Sequence, residues 1–195
     1  MDVEIRNNVV DMFFPRQQRE LQLTADQQID VLRRSWQSHD AGWQMAIFQR
    51  YGWDEGNRLN KEVARQIGKG AMHRLMKHLG ITGVKDIDEF RRIIDITTAL
   101  FYPKPDFDYQ FEQLSDTKVV AIVRQCVICD NVIRGGVAKF YECGCFAMQE
   151  GWYDALGVDV ERTLGKCLKA GDDRCEITLH VKSWGNPRDS ARSLK

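Results

Sequence analysis

The sequence has no excess of either charge: 28 Lys and Arg stand against 28 Asp and Glu. That balance removes the broad positive field on which general nucleic-acid binding and attraction to anionic membranes depend, so neither partner is expected. No stretch approaches the run of about 20 apolar residues that a membrane span needs. The first residues, MDVEIRNNVVDMFFPRQQ, lack the basic start and longer apolar core of a secretory leader. The expectation is a cytoplasmic protein whose thiols stay reduced. There is no internal repeat and no low-complexity tract. No cysteine precedes Cys126, the first of six.

What is present reads as a helical half followed by a mixed half. Thr24 and Gln27 have capping-box spacing, and apolar residues then recur at Ile29, Leu32, Trp36, Trp43 and Ile47 with the period of a helix. Gly52 marks its stop. A second helix is expected over 54–79, with Leu59, Val63, Ile67, Ala71, Leu75 and Leu79 on its buried face and a weak point at Gly68 and Gly70. Asp86 and Glu89 open a third helix, closed by Pro103 and Pro105. Beyond them FDYQFEQ alternates, KVVAIVRQC is rich in β-branched residues, and LSDT turns between the two. A helix with Val137, Tyr141, Gly144, Met148, Trp152 and Ala155 on one stripe follows. VDVERTLGKC and RCEITLHVKSW then form a second hairpin around LKAGDD. The fold class is therefore α+β, a helical N-terminal half followed by a β-β-α-β-β antiparallel sheet. The segments are an arm over 1–23, a helical region over 24–105, a Cys-rich α+β region over 106–183 and a tail over 184–195.

The cysteines carry the chemistry. Cys167 ends one strand of a hairpin and Cys175 begins the next, so their thiols are brought side by side, which is half of a tetrahedral zinc site. In a regular helix residues i and i+2 point about 200° apart, so Cys143 and Cys145 would not both face one metal. Cys126 precedes the connection to that helix. The expected ligands are Cys126, Cys143, Cys167 and Cys175, with Cys129 and Cys145 as substitutes. Four thiolates also suit iron or an iron–sulfur cluster. For any single cysteine, burial as a small apolar residue is the alternative. The Cys126–Cys129 C-x-x-C pair lacks the placement of a redox motif at a helix start after a βαβ strand.

Cys167-LKAGDDR-Cys175-EITL resembles the closing motif of the 4-vinyl-reductase-like small-molecule-binding domains. Preceded by a helical half bearing SWQSHDAGW, the layout also resembles the related L-2-amino-thiazoline-4-carboxylate hydrolase-like family, over roughly residues 25 to 183. The resemblance implies zinc, a sheet with helices enclosing an apolar cavity for a small organic ligand, and a homodimer. It departs at Leu164, where the first of these families often has a ligating glutamate; Cys126 is the replacement assigned here.

Trp36, His39, Asp40 and Trp43 follow one another at helical spacing, a titratable group between two indoles, as in the lining of a small-molecule pocket. With Tyr141 they form the expected ligand-binding set, although for His39 and Asp40 taken alone a satisfied structural role is the stronger reading. A pure interaction module fits the zero net charge but leaves the cysteines unexplained, so two functions compete. One is a zinc-binding protein with a cavity for a small, partly apolar ligand. The other is a hydrolase of a C–N bond in a small heterocycle or amide. The second needs an open metal position, or a nucleophile such as Cys129 or Cys145 with His39 or Asp40 as base. No recognised nucleophile signature is present.

Overall fold

The structure is a computed structural model and describes residues 23–185. The arm up to residue 22 and the tail from residue 186 lie outside them. The chain divides into two compact units, one ending at Gly42 and the other beginning at Trp43. In the first, the expected capping box forms. The Thr24 N–H donates to Gln27 Oε1 at 2.9 Å, and the Gln27 N–H donates to Thr24 Oγ1 at 3.2 Å. Helix α1 spans Ala25–Leu79 and is interrupted at Gly52, where φ 80° and ψ 175° suit only glycine.

In the second unit, α2 (Ile87–Phe101) is capped by Asp86, whose side chain accepts from the Glu89 N–H at 2.9 Å. Four strands follow around two further helices: β1 (Phe107–Ser115), β2 (Lys118–Cys126), α3 (Val127–Arg134), α4 (Gly144–Leu156), β3 (Asp159–Lys166) and β4 (Cys175–Ser183). The sheet is antiparallel in the order β1-β2-β4-β3. The two expected hairpins are thus joined through their inner strands, with Val123 opposite Cys175 and Ala121 opposite Ile177. Trp152, Phe90, Met72, Ile93 and Ile94 are fully buried between the layers. No helix among the described residues is long and apolar enough to cross a membrane.

Three local expectations are corrected. The buried face of α1 beyond Gly52 is not the Leu59–Val63–Ile67 stripe. It is Gly56, Asn57, Ala64, Gly68, Met72 and Met76, and Val63 and Leu79 are exposed. The reason is close packing against α4. A β-carbon at Gly68 would lie 2.1 Å from the Met148 carbonyl oxygen, and one at Gly151 would lie 2.1 Å from that of Arg65. Small residues let the two backbones meet, so Gly68 sits inside an unbroken stretch of helix rather than at a kink. The segment after β2 was expected to run into one helix, but α3 forms first, with Cys126 as its N-cap and Cys129 inside it. Finally, α4 begins only at Gly144, so Val137 and Tyr141 belong to the preceding loop.

Candidate functional site

A cavity of about 780 Å³ lies in the second unit between one sheet face and the helices. The two-residue alternation of the strands builds its floor. Phe107, Tyr109 and Phe111 project from β1 and Ala121 and Val123 from β2. Cys175, Ile177 and Leu179 come from β4, and Arg162 and Leu164 from β3. Ile94 and Thr98 of α2 and Phe146, Ala147 and Tyr153 of α4 cover it. The loop before α4 is held by Asn57, which is nearly fully buried. Its Nδ2 donates to the Phe140 carbonyl at 2.8 Å, and its Oδ1 accepts the Glu142 N–H at 2.9 Å. Lys169 ties the same loop to the β3–β4 turn by donating to the carbonyls of Ala138 (3.0 Å) and Tyr141 (2.6 Å).

All six cysteines line this cavity, and none is in a disulfide. Local structure explains their convergence. Cys126 ends β2 and caps α3, and Cys143 caps α4. Cys167 caps the short 3-10 helix Leu168–Ala170, its own N–H donating to Asp172 Oδ2 at 2.7 Å. Cys175 starts β4 beside β2. Because Cys143 precedes the regular part of α4, it and Cys145 both reach the cavity, contrary to the helix argument made from sequence.

The thiols share protons. Cys129 bridges Cys126 and Cys175, and its own thiol is raised by those bonds. The hydrogen bond from Cys129 lowers Cys126, and it lowers Cys175 to about 6, aided by the Leu168 N–H at 3.3 Å. Cys143 is lowered to about 7, first by its bond with Cys145 and then by the Cys145 and Phe146 amides at the start of α4. Cys145 is raised by its bond to Cys143 and by burial, and it accepts the Tyr102 hydroxyl at 3.3 Å. Cys167 is raised by burial. Cys126, Cys143 and Cys175 are thus shifted toward the thiolate form, and Cys129, Cys145 and Cys167 away from it. Among the described residues, no three His, Cys, Asp or Glu side chains stand as a group that could hold a metal ion. The sulfurs run as a hydrogen-bonded chain, Cys126–Cys129–Cys175–Cys167, beside a Cys143–Cys145 pair, rather than gathering on one point.

The remaining candidates are dispersed. Tyr141 is buried and lines the cavity. Trp36, His39 and Asp40 belong to the first unit, whereas every lining residue belongs to the second. Trp43, at the start of the second unit, is 61% exposed and outside the lining. Sequence reading missed Arg162, Tyr153, Asn57 and Lys169. Arg162 left a signal, since it occupies an inward position between Val160 and Leu164 in the alternation of β3. Tyr153 and Asn57 left none, because both fall on helix faces that read as ordinary core.

Among solved structures, the chain is similar to a trafficking protein particle complex subunit 3 from Naegleria fowleri, covalently bound to palmitic acid. Identity is 15%, the TM-score is 0.61, and the match covers 80% of this chain and 99% of that one. At that identity the likeness is one of fold. An H-NOX protein from S. oneidensis matches at 13% identity and a TM-score of 0.41, over 94% of this chain and 88% of the other. A search of curated proteins gives no match. Residues 44–179 match the protein family described as L-2-amino-thiazoline-4-carboxylic acid hydrolase. That span takes in every residue that lines the cavity, from Lys61 to Leu179, with all six thiols among them, and the chain belongs to this family.

Proposed function

We propose that the protein binds a small, partly apolar organic molecule in the cavity and that its thiolates hold a zinc ion at one end. The observation that carries the reading is the lining of a single apolar cavity by all six cysteines. Its volume, about 780 Å³, is in the range that encloses a drug-sized ligand. An all-sulfur donor set suits zinc rather than hard cations. Cys143 and Cys175, both lowered, supply the deprotonated form that binds metal. Cys126, Cys143, Cys167 and Cys175 are the ligands assigned, with Cys129 as substitute because it already bridges Cys126 and Cys175. As the sulfurs stand, zinc must draw them inward. A four-thiolate zinc has no open position, and its contribution is to fasten strand ends and the start of α4 together.

A second reading is favoured by the family match, whose description names a hydrolase. In it a lowered thiolate, Cys175 or Cys143, faces the ligand as nucleophile. Metal analysis and X-ray absorption on protein purified without added metal separate the two. One zinc per chain with four sulfurs is expected. An oxygen in the metal shell, or loss of turnover of an aminothiazoline carboxylate when Cys175 is alkylated, would favour the hydrolase. Iron in place of zinc would change the metal assignment, and metal-free protein would remove it. Light scattering is expected to give the homodimer that the family resemblance implies.

A further inference from the structure

The sheet side of the cavity carries one residue out of character. Among the described residues, the strand side chains that line it are aromatic, aliphatic or sulfur-bearing, except Arg162. Alternation places it there, since Val160, Arg162 and Leu164 share one face of β3. Arg162 pairs with Leu179 and Leu164 with Ile177, so that face continues across β4. A guanidinium on an apolar floor is costly unless its N–H groups are used.

The protein uses only some of them. Arg162 Nη2 donates to Glu150 Oε1 at 3.0 Å, and Nη1 donates to the Phe146 carbonyl at 3.1 Å. The Nε–H and one N–H on each terminal nitrogen have no partner among the described residues. The central carbon lies 4.4 Å from the Phe146 ring centre, which holds the guanidinium against α4. Such a planar fork suits two-point recognition of a carboxylate.

The neighbouring charges are arranged for an exchange. The Arg162 side chain is 23% exposed and that of Glu150 is 41%, so the carboxylate is the freer partner. Arg65 of α1 holds Asp154 through Nε and Nη2 at 2.7 and 2.9 Å, while its Nη1 stands 3.8 Å from Glu150 Oε2. Glu150 therefore lies between two arginines and keeps a cation when Arg162 is taken from it.

We propose that Arg162 anchors a carboxylate of the ligand and that Glu150 is its stand-in in the empty protein. The entering carboxylate accepts from Arg162, Glu150 turns to Arg65 Nη1, and the ligand's apolar body lies between Phe146 and the Ala121–Ile177 floor. The assignment rests on the reading that the cavity binds a small organic molecule. It narrows that molecule to a monocarboxylate, because Arg65 stays with Asp154 and Glu150.

Calorimetric titration of wild type, Arg162→Gln and Glu150→Gln with phenylacetate, phenylacetamide and toluene tests it. Wild type is expected to bind phenylacetate more tightly than the amide. Arg162→Gln should weaken phenylacetate about tenfold and leave both neutral probes within about twofold. Glu150→Gln removes the internal competitor, so it should tighten phenylacetate about threefold without changing the neutral probes. A merely structural ion pair would not give opposite signs in the two variants. Unchanged phenylacetate affinity in Arg162→Gln, weaker phenylacetate binding in Glu150→Gln, or a wild-type preference for the amide would each overturn the assignment, while toluene binding keeps the cavity reading. Should Arg162→Gln fail to fold, the Glu150→Gln titration decides by its sign. If wild type binds none of the three probes, the cavity reading fails and the assignment goes with it.

Discussion

The two faces of α4 follow opposite packing rules. Toward α1, Gly68 and Gly151 bring backbone against backbone, with a β-carbon at either position only 2.1 Å from a carbonyl oxygen. Toward the sheet, the same helix leaves about 780 Å³ unfilled. Protein interiors are ordinarily close-packed, so the second face is the exception. The difference shows how an open cavity is kept without a loose roof: the helix that covers it is fixed from behind.

The largest expected effect would break that comparison at its closed face. Gly151→Leu forces a side chain into the Arg65 and Lys69 backbones. It should cost about 3 kcal/mol or more in urea unfolding; near-wild-type stability would show that the seam is not tight. On the open face, Ala121→Leu adds comparable bulk into empty space. Its stability should stay within about 1 kcal/mol of wild type, while calorimetric binding of toluene is lost. A large stability loss with binding retained would reverse the roles of the two faces.

The smallest effect sharpens the comparison electrostatically, since only the open face carries titrating thiols. Cys175 is lowered to about 6 by its bond with Cys129, whereas an unfolded thiol titrates near about 8.5. Its stabilising contribution is therefore present above about 8.5 and is lost as pH falls through about 6. In metal-free protein, the rate of iodoacetamide labelling at Cys175, followed by mass spectrometry, should be half-maximal near pH 6. The melting-temperature advantage of wild type over Cys175→Ala should shrink across the same window. A labelling midpoint in the ordinary thiol range would remove the thiolate.

Much of this architecture was legible in the sequence, and the parts that were not share physical causes. Alternation and turn chemistry located both hairpins, and Thr24 and Asp86 announced helix starts because caps are local signals. The face of α1 was misread because periodicity weighs large apolar side chains, whereas the real contact is made by glycine and alanine. Helix α3 was hidden because VVAIVRQCVICDNVIR is one apolar, β-branched run in which strand passes into helix without a breaker. The hairpin geometry identified Cys167 and Cys175 as neighbours. That all six thiols border one cavity was not legible, because it depends on β2 pairing with β4, and pairing between hairpins leaves no mark in either one.

That inner pairing also orders the protein in time. Each hairpin closes a short loop, while the β2–β4 ladder closes a long one, and loop entropy makes the short closures faster. Cys126 and Cys129 travel with the first hairpin, and Cys167 and Cys175 with the second. The bridge from Cys129 to Cys175 can form only when the two halves of the sheet join, so the acidity of Cys175 reports on that joining.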